Sequence, residues 1–187
     1  LHNTLFPYTT LFRSPDYRTP PPRGKPRRVI ERHHYFDIPF YPEQMVRRSI
    51  AAYHAFVAYM DDCVGRVLAK LDELGLRDNT LIVYASDHGE NLYRHGLCEK
   101  HTFYEDSIRI PLIFSMPGVV PEGRRTAALA SIMDIMPTAL AMAGVHTPGF
   151  VEGCDLRPGF DGENARDVVM AEYYHSLDPC RMVRDHR

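Results

Sequence analysis

Three side chains in the run Ser86–His101 (SDHGENLYRHGLCEKH) are of types that can act together: Asp87, His88 and, twelve positions after the histidine, Lys100. Asp offers a hard carboxylate oxygen and His a neutral imidazole nitrogen, so the pair can supply half of a divalent-cation shell. Lys100 offers a compact point charge suited to a tetrahedral oxyanion. A cation and a lysine acting on one anion would stabilise charge as it develops on a leaving or non-bridging oxygen. On spacing alone a plainer reading stands beside this one: Asp87 caps a helix, and His88 is an incidental surface histidine.

The elements around the run bear on the choice. Thr80–Ala85 is a short β-branched and apolar run that reads as a buried strand, and in open α/β sheets ligands gather at the carboxyl ends of strands. Upstream, from Pro42, apolar residues recur by threes and fours at Ile50, Tyr53, Val57, Met60, Val64, Val67, Leu68, Leu71 and Leu74. That spacing predicts a helix of about seven turns with one stripe facing a core, stopped by Gly75. Asp61 and Asp62 fall inside it; adjacent helix positions point apart, so they are solvated residues and not a metal pair. Downstream, Ile110–Met116 is a second strand, and Ser131 caps a helix to about Ala143 with a kink expected at Pro137. Val168–Tyr174 is a third strand. Helices alternating with buried strands predict an α/β layer architecture.

Composition removes several classes. The chain has 187 residues, 44% of them hydrophobic and 25% charged, as in a folded domain and unlike a disordered one. A formal net charge of −2 argues against phosphate-driven nucleic-acid binding. No apolar run approaches the roughly 20 residues of a membrane span. The four cysteines, Cys63, Cys98, Cys154 and Cys180, form no CxxC pair, so neither a zinc ribbon nor a dense disulfide framework is indicated.

The front of the chain reads differently. Thr4–Ser14 (TLFPYTTLFRS) equals one reading frame of a widely used sequencing adapter, so residues 1–14 are read as non-native. Residues 15–41 open with a stretch rich in proline and cationic side chains and read as a linker or surface loop. Residues 42–187 then form the structured part. The chain stops at Met182–Arg187 without a helix cap, which reads as a piece of a longer protein.

The segment Arg47–Leu156 resembles the C-terminal half of the catalytic domain of the sulfatases, in the alkaline phosphatase superfamily, with the choline-sulfatase and iduronate-sulfatase branch most alike. The likeness is carried by VGRVLAKLDELGLRDNTLIVYASDHGE, HGLCEKHTFYEDSIRIPLIFSMPG and SIMDIMPTALAMAGV. It implies that residues 42–187 are the C-terminal part of a sulfatase-like catalytic domain, truncated at both ends, with a partial alkaline-phosphatase-like sheet flanked by helices and the N-terminal strands missing. It implies that Asp87 and His88 are metal ligands, usually for calcium, and that Lys100 contacts the sulfate of a small-molecule sulfate ester. Manganese or zinc would accept the histidine more readily than calcium does. Glu105 and Arg109 match a segment that packs the site loop, a structural role. His95 and His101 lie beside the site without an assigned role, and Cys98 is read as packing.

The family's nucleophile is a formylglycine made from Cys or Ser in a Cys/Ser-x-Pro-Ser-Arg motif, which no cysteine or serine here begins. Its first metal-ligand pair, two adjacent aspartates on an earlier strand, also has no counterpart. These gaps predict that the chain as it stands does not turn over sulfate esters. An unpaired edge on a parallel sheet predicts poor solubility. Two other readings compete: a phosphodiesterase or phosphonate monoester hydrolase of the same superfamily, and a non-catalytic fold relic serving as a binding module.

Overall fold

In the computed structural model, which describes residues 17–20, 23–174 and 179–186, the longest element is a helix of 31 residues, Glu43–Glu73 (α2). It is longer than the periodicity implied: a first turn, in which Glu43 and Arg47 form a 2.7 Å ion pair, precedes the apolar stripe. Only Val46 and Ile50 of α2 are buried. Farther along, Val64, Leu68 and Leu71 are half-buried, while Tyr53, Val57, Met60 and Val67 are exposed, so the stripe faces a core over its first turns alone.

The chain divides into two compact units. The first takes the described residues up to Lys70 together with His88–Arg109. Its core joins Tyr17, Ile38, Val46, Ile50 and Tyr93, with Phe36, Tyr41, Leu92 and Cys98 packed against them. A helix stands at Arg27–Phe36 (α1), inside the segment that composition marked as linker or loop. Pro26 starts it, an Arg27–Glu31 pair at 2.6 Å spans its first turn, and Asp37 in the left-handed region (φ 46°) ends it. The proline-rich composition concealed it because proline is well tolerated at a helix start. A short helix at Glu105–Ile108 (α3) completes this unit. Residues 1–14 lie outside the described residues.

The second unit takes Leu71–Asp87 and the described residues from Ile110 onward. Strand β1 is Ile82–Ala85 and β2 is Leu112–Ser115. They pair antiparallel, with Ile82 opposite Ser115 and Ala85 opposite Leu112. The expected parallel sheet is therefore corrected among the described residues. A parallel neighbour needs a crossover that carries the chain back to the strand's starting end, and the excursion between β1 and β2 folds back on itself, Gly89 N–H donating to the Ser107 carbonyl at 2.8 Å. Nor is β1 fully buried: three of its residues are half-buried and Tyr84 is exposed.

Ser131 and Asp134 form a reciprocal capping box over a 3-10 turn, after which Ile135–Met142 (α4) runs on. Pro137 thus falls in the first turn of α4, where backbone N–H groups lack helical partners anyway, and the expected kink is taken up by the turn before it. Asp134 is fully buried and accepts from Ser131 N–H at 2.7 Å, Cys154 N–H at 2.8 Å and the Arg166 guanidinium. After a single turn at Arg157–Phe160 (α5), β3 (Val169–Tyr173) pairs antiparallel with β4 (Cys180–Arg184). Strand β4 was not foreseen.

Candidate functional site

Strand β1 delivers Asp87 to the end of the second unit's first segment, one residue past Ser86, whose hydroxyl lies 3.5 Å from Asp87 Oδ1. The next residue, His88, belongs to the first unit. There its Nδ1 lies 2.9 Å from the Gly89 carbonyl oxygen and its Nε2 lies 2.7 Å from Lys100 Nζ. A carbonyl can only accept, so Nδ1 carries the hydrogen. The lone pair is then on Nε2, where it accepts from the Lys100 ammonium. The twelve-residue spacing between His88 and Lys100 therefore closes into a direct contact.

That contact depends on a loop in an unusual backbone state. Leu92, Tyr93, His95, Glu99 and His101 all have φ between 44° and 78°, a region costing L-residues on the order of 1 kcal/mol or more each. Two neighbours of His88 hold the loop. The fully buried Asn91 donates from its backbone N–H (2.9 Å) and from Nδ2 (2.6 Å) to the carbonyl of Glu99, and Nδ2 also reaches Thr102 Oγ1 at 3.4 Å. Glu90 Oε1 accepts from the N–H of Leu92 at 3.1 Å and of Glu99 at 2.5 Å. Sequence reasoning assigned neither residue a role. The only available signal was a polar pair, Glu90-Asn91, directly behind Asp87-His88-Gly89.

Cationic side chains surround Lys100's other neighbour. Arg28 Nε donates to the His101 carbonyl at 3.4 Å, and Arg32 pairs with Glu99 at 2.9 Å. Burial holds the His101 imidazole below the ordinary histidine value, helped by Arg32, Arg28 and Lys100 and opposed by Glu99. His95 stacks on Tyr104, ring centroids 4.1 Å apart, and pairs with Asp106 at 3.3 Å. Cys98 is half-buried against the core of the first unit, as the packing reading expects, and burial pushes its thiol up to about 11. Glu105 and Arg109 stand at the two ends of α3, joined by an Arg109 N–H to Glu105 carbonyl bond of 2.8 Å. Asp61 and Asp62 are exposed on α2.

Among the described residues there is no group of three or more His, Cys, Asp or Glu side chains placed to hold a metal ion. Asp87 closes a segment of the second unit and His88 opens a segment of the first; these are the two residues that the resemblance names as metal ligands. The chemistry of the histidine fits: metal-bound histidines characteristically donate the other ring N–H to a carbonyl or carboxylate, and His88 does so to Gly89. No helix among the described residues is long and apolar enough to cross a membrane.

An α/β chain with a strand-end Asp-His pair and a lysine returned by a clamped loop corresponds to the alkaline phosphatase class of hydrolases. The phosphonate monoester hydrolase of Silicibacter pomeroyi superposes on it with a TM-score of 0.75 and 27% identity, over 97% of this chain and 43% of that one. The chain belongs to the sulfatase family, whose sequence model, described as Sulfatase, matches residues 10–145. It is 38% identical over 125 residues to the N-acetylglucosamine-6-O-sulfatase of Bacteroides thetaiotaomicron, covering 66% of this chain and 22% of the relative. It is 36% identical over 134 residues to the choline-sulfatase of Rhizobium meliloti, covering 70% of this chain and 26% of the relative. The match thus spans about a quarter of the length of these curated relatives.

Proposed function

We propose that this chain is the part of a sulfate-ester hydrolase that supplies two metal ligands, Asp87 and His88, and one sulfate contact, Lys100. The observation that carries this reading is the His88 ring itself. Its Nδ1–H is committed to the Gly89 carbonyl, which puts the ring's one lone pair on Nε2, here engaged by Lys100 Nζ at 2.7 Å; a metal ion would take that lone pair in place of the lysine and leave Nζ beside it for the anion. A bound divalent cation, calcium by family likeness, would supply Lewis-acid stabilisation of charge on the sulfate oxygens. Asp87 and His88 would hold it through one oxygen and one nitrogen. Lys100, a donor with three hydrogens and no acceptor, would orient the sulfate and balance its charge. With two donors proposed among the described residues, cation binding would be weak, and turnover would require further groups.

The test is calorimetric titration of the 187-residue chain with calcium and then with inorganic sulfate, alongside Asp87→Ala, His88→Ala and Lys100→Ala. Calcium binding should be lost in the first two variants and sulfate binding in the third. Unchanged calcium affinity in both ligand variants would refute the metal assignment. A second reading, phosphonate monoester hydrolysis, is favoured by the superposition over 97% of this chain on an enzyme of that name. Tighter binding of methylphosphonate than of sulfate would select it.

A further inference from the structure

We propose that Glu90 and Asn91 are positioning residues that hold Lys100 where it can meet the anion, an inference that rests on the function proposed above. Both follow the Asp87-His88-Gly89 turn immediately, and both act on one target, the backbone of Glu99 next to Lys100. Glu90 Oε1 takes the Glu99 N–H at 2.5 Å and the Leu92 N–H at 3.1 Å. Asn91 gives two donors to the Glu99 carbonyl, at 2.9 and 2.6 Å. The peptide groups on either side of the Glu99 α-carbon are therefore both tied to the segment that carries His88.

This arrangement is more than loop closure. Asn91 is fully buried although it is a polar amide, and its Nδ2 hydrogens are directed to the Glu99 carbonyl and Thr102 Oγ1, one on each side of the Lys100–His101 pair. Glu99 and His101, which flank Lys100, both sit at positive φ (62° and 78°) without being glycine. A free chain would leave that conformation, and the lysine side chain would swing with it. The clamp selects the one backbone state in which Nζ reaches His88 Nε2 at 2.7 Å. Preorganisation of this kind matters because a charge held in place before the anion arrives need not be reoriented during reaction.

The experiment uses the full 187-residue chain with calcium present and inorganic sulfate as the probe. Affinity is measured calorimetrically, and hydrogen–deuterium exchange is followed by mass spectrometry over residues 90–102 and over β1 and β2. Glu90→Ala and Asn91→Ser should each weaken sulfate binding about tenfold or more, with faster exchange confined to residues 92–102. Glu90→Gln, which keeps an acceptor oxygen at the same reach, should restore most of the affinity. Sulfate affinity that stays at the wild-type value while exchange quickens would overturn the proposal. So would loss of the whole fold in both Glu90→Ala and Asn91→Ser, because the pair would then serve stability at large. The Lys100→Ala arm separates the two levels: if it binds sulfate as the wild type does, the functional reading itself fails, whatever the clamp does.

Discussion

Replacing Gly89 by alanine tests how tightly the site loop is built. A methyl group there would lie 2.0 Å from the Asp106 carbonyl oxygen, 3.0 Å from that carbonyl's carbon and 3.3 Å from the Ser107 carbonyl carbon. Cβ atoms essentially never approach another heavy atom within 3.0 Å, so the two backbones must part by at least about 1 Å. Neither side is a flexible side chain that can step aside. The same two segments are tied by the Gly89 N–H to Ser107 carbonyl bond at 2.8 Å, which such a displacement stretches past useful length. Overpacking of this kind costs about 1–3 kcal/mol and the lost hydrogen bond about 1 kcal/mol, together about 2–4 kcal/mol. For a chain of this size that is a fall in melting temperature of about 4–16 °C. The shift also moves the Gly89 carbonyl that orients His88, and a misplacement of about 1 Å can cost on the order of a hundredfold in a working site. Thermal melts by circular dichroism, paired with the sulfate titration, measure both effects. A Gly89→Ala chain that melts within about 2 °C of the wild type and binds sulfate equally well would refute the reasoning.

Three further outcomes follow from the same contacts. Burial lowers the imidazoles of His33 and His101, with His34 adding to the first and Arg32 to the second; the unfolded chain then binds more protons, so stability is complete above about pH 6.5 and falls as the pH drops through that value. Urea melts at pH 7.5, 6.5 and 5.5 check this, and equal midpoints at all three would contradict it. Cys98, pushed up to about 11 mainly by burial and then by Glu90, is about 0.1% thiolate at pH 8; iodoacetamide should label it far more slowly in the folded chain than in urea, and equal rates would refute its packing role. The exposed stripe Tyr53, Phe56, Val57 and Met60 on one face of α2, 40, 71, 51 and 54% exposed, predicts self-association of the isolated chain at micromolar concentrations. A single monomeric boundary in sedimentation velocity would sink that expectation.

What the sequence made legible was what is local. The threefold and fourfold recurrence through α2 is a property of neighbouring residues, as are the Ser131–Asp134 box and the apolar runs of β1, β2 and β3, and each of these elements is present within a few positions of where it was expected. Strand pairing is different in kind. Whether β1 meets β2 parallel or antiparallel depends on how the intervening excursion returns, and nothing in Leu81–Ala85 or Ile110–Met116 encodes that path. Helix α1 stayed hidden because Pro26, Arg27 and Arg28 are as compatible with a solvated loop as with a helix start, and the decision was made by burial of Val29 and His33 in the tertiary fold.

The candidate site divides along the same line. Asp87, His88 and Lys100 could be named because the surrounding motifs resemble a family; on spacing alone an Asp-His pair is common and a plainer reading stood beside it. Glu90 and Asn91 could not, since a glutamate and an asparagine in a polar loop have a dozen ordinary explanations. Their importance lies in where their hydrogen bonds end, on the backbone of a residue eight or nine positions away. A backbone target has no side-chain identity for a sequence to display. The residues that would touch the anion are thus readable by motif, whereas those that aim them are readable only by geometry, and it is the second group whose substitution separates a positioned lysine from one that is merely present.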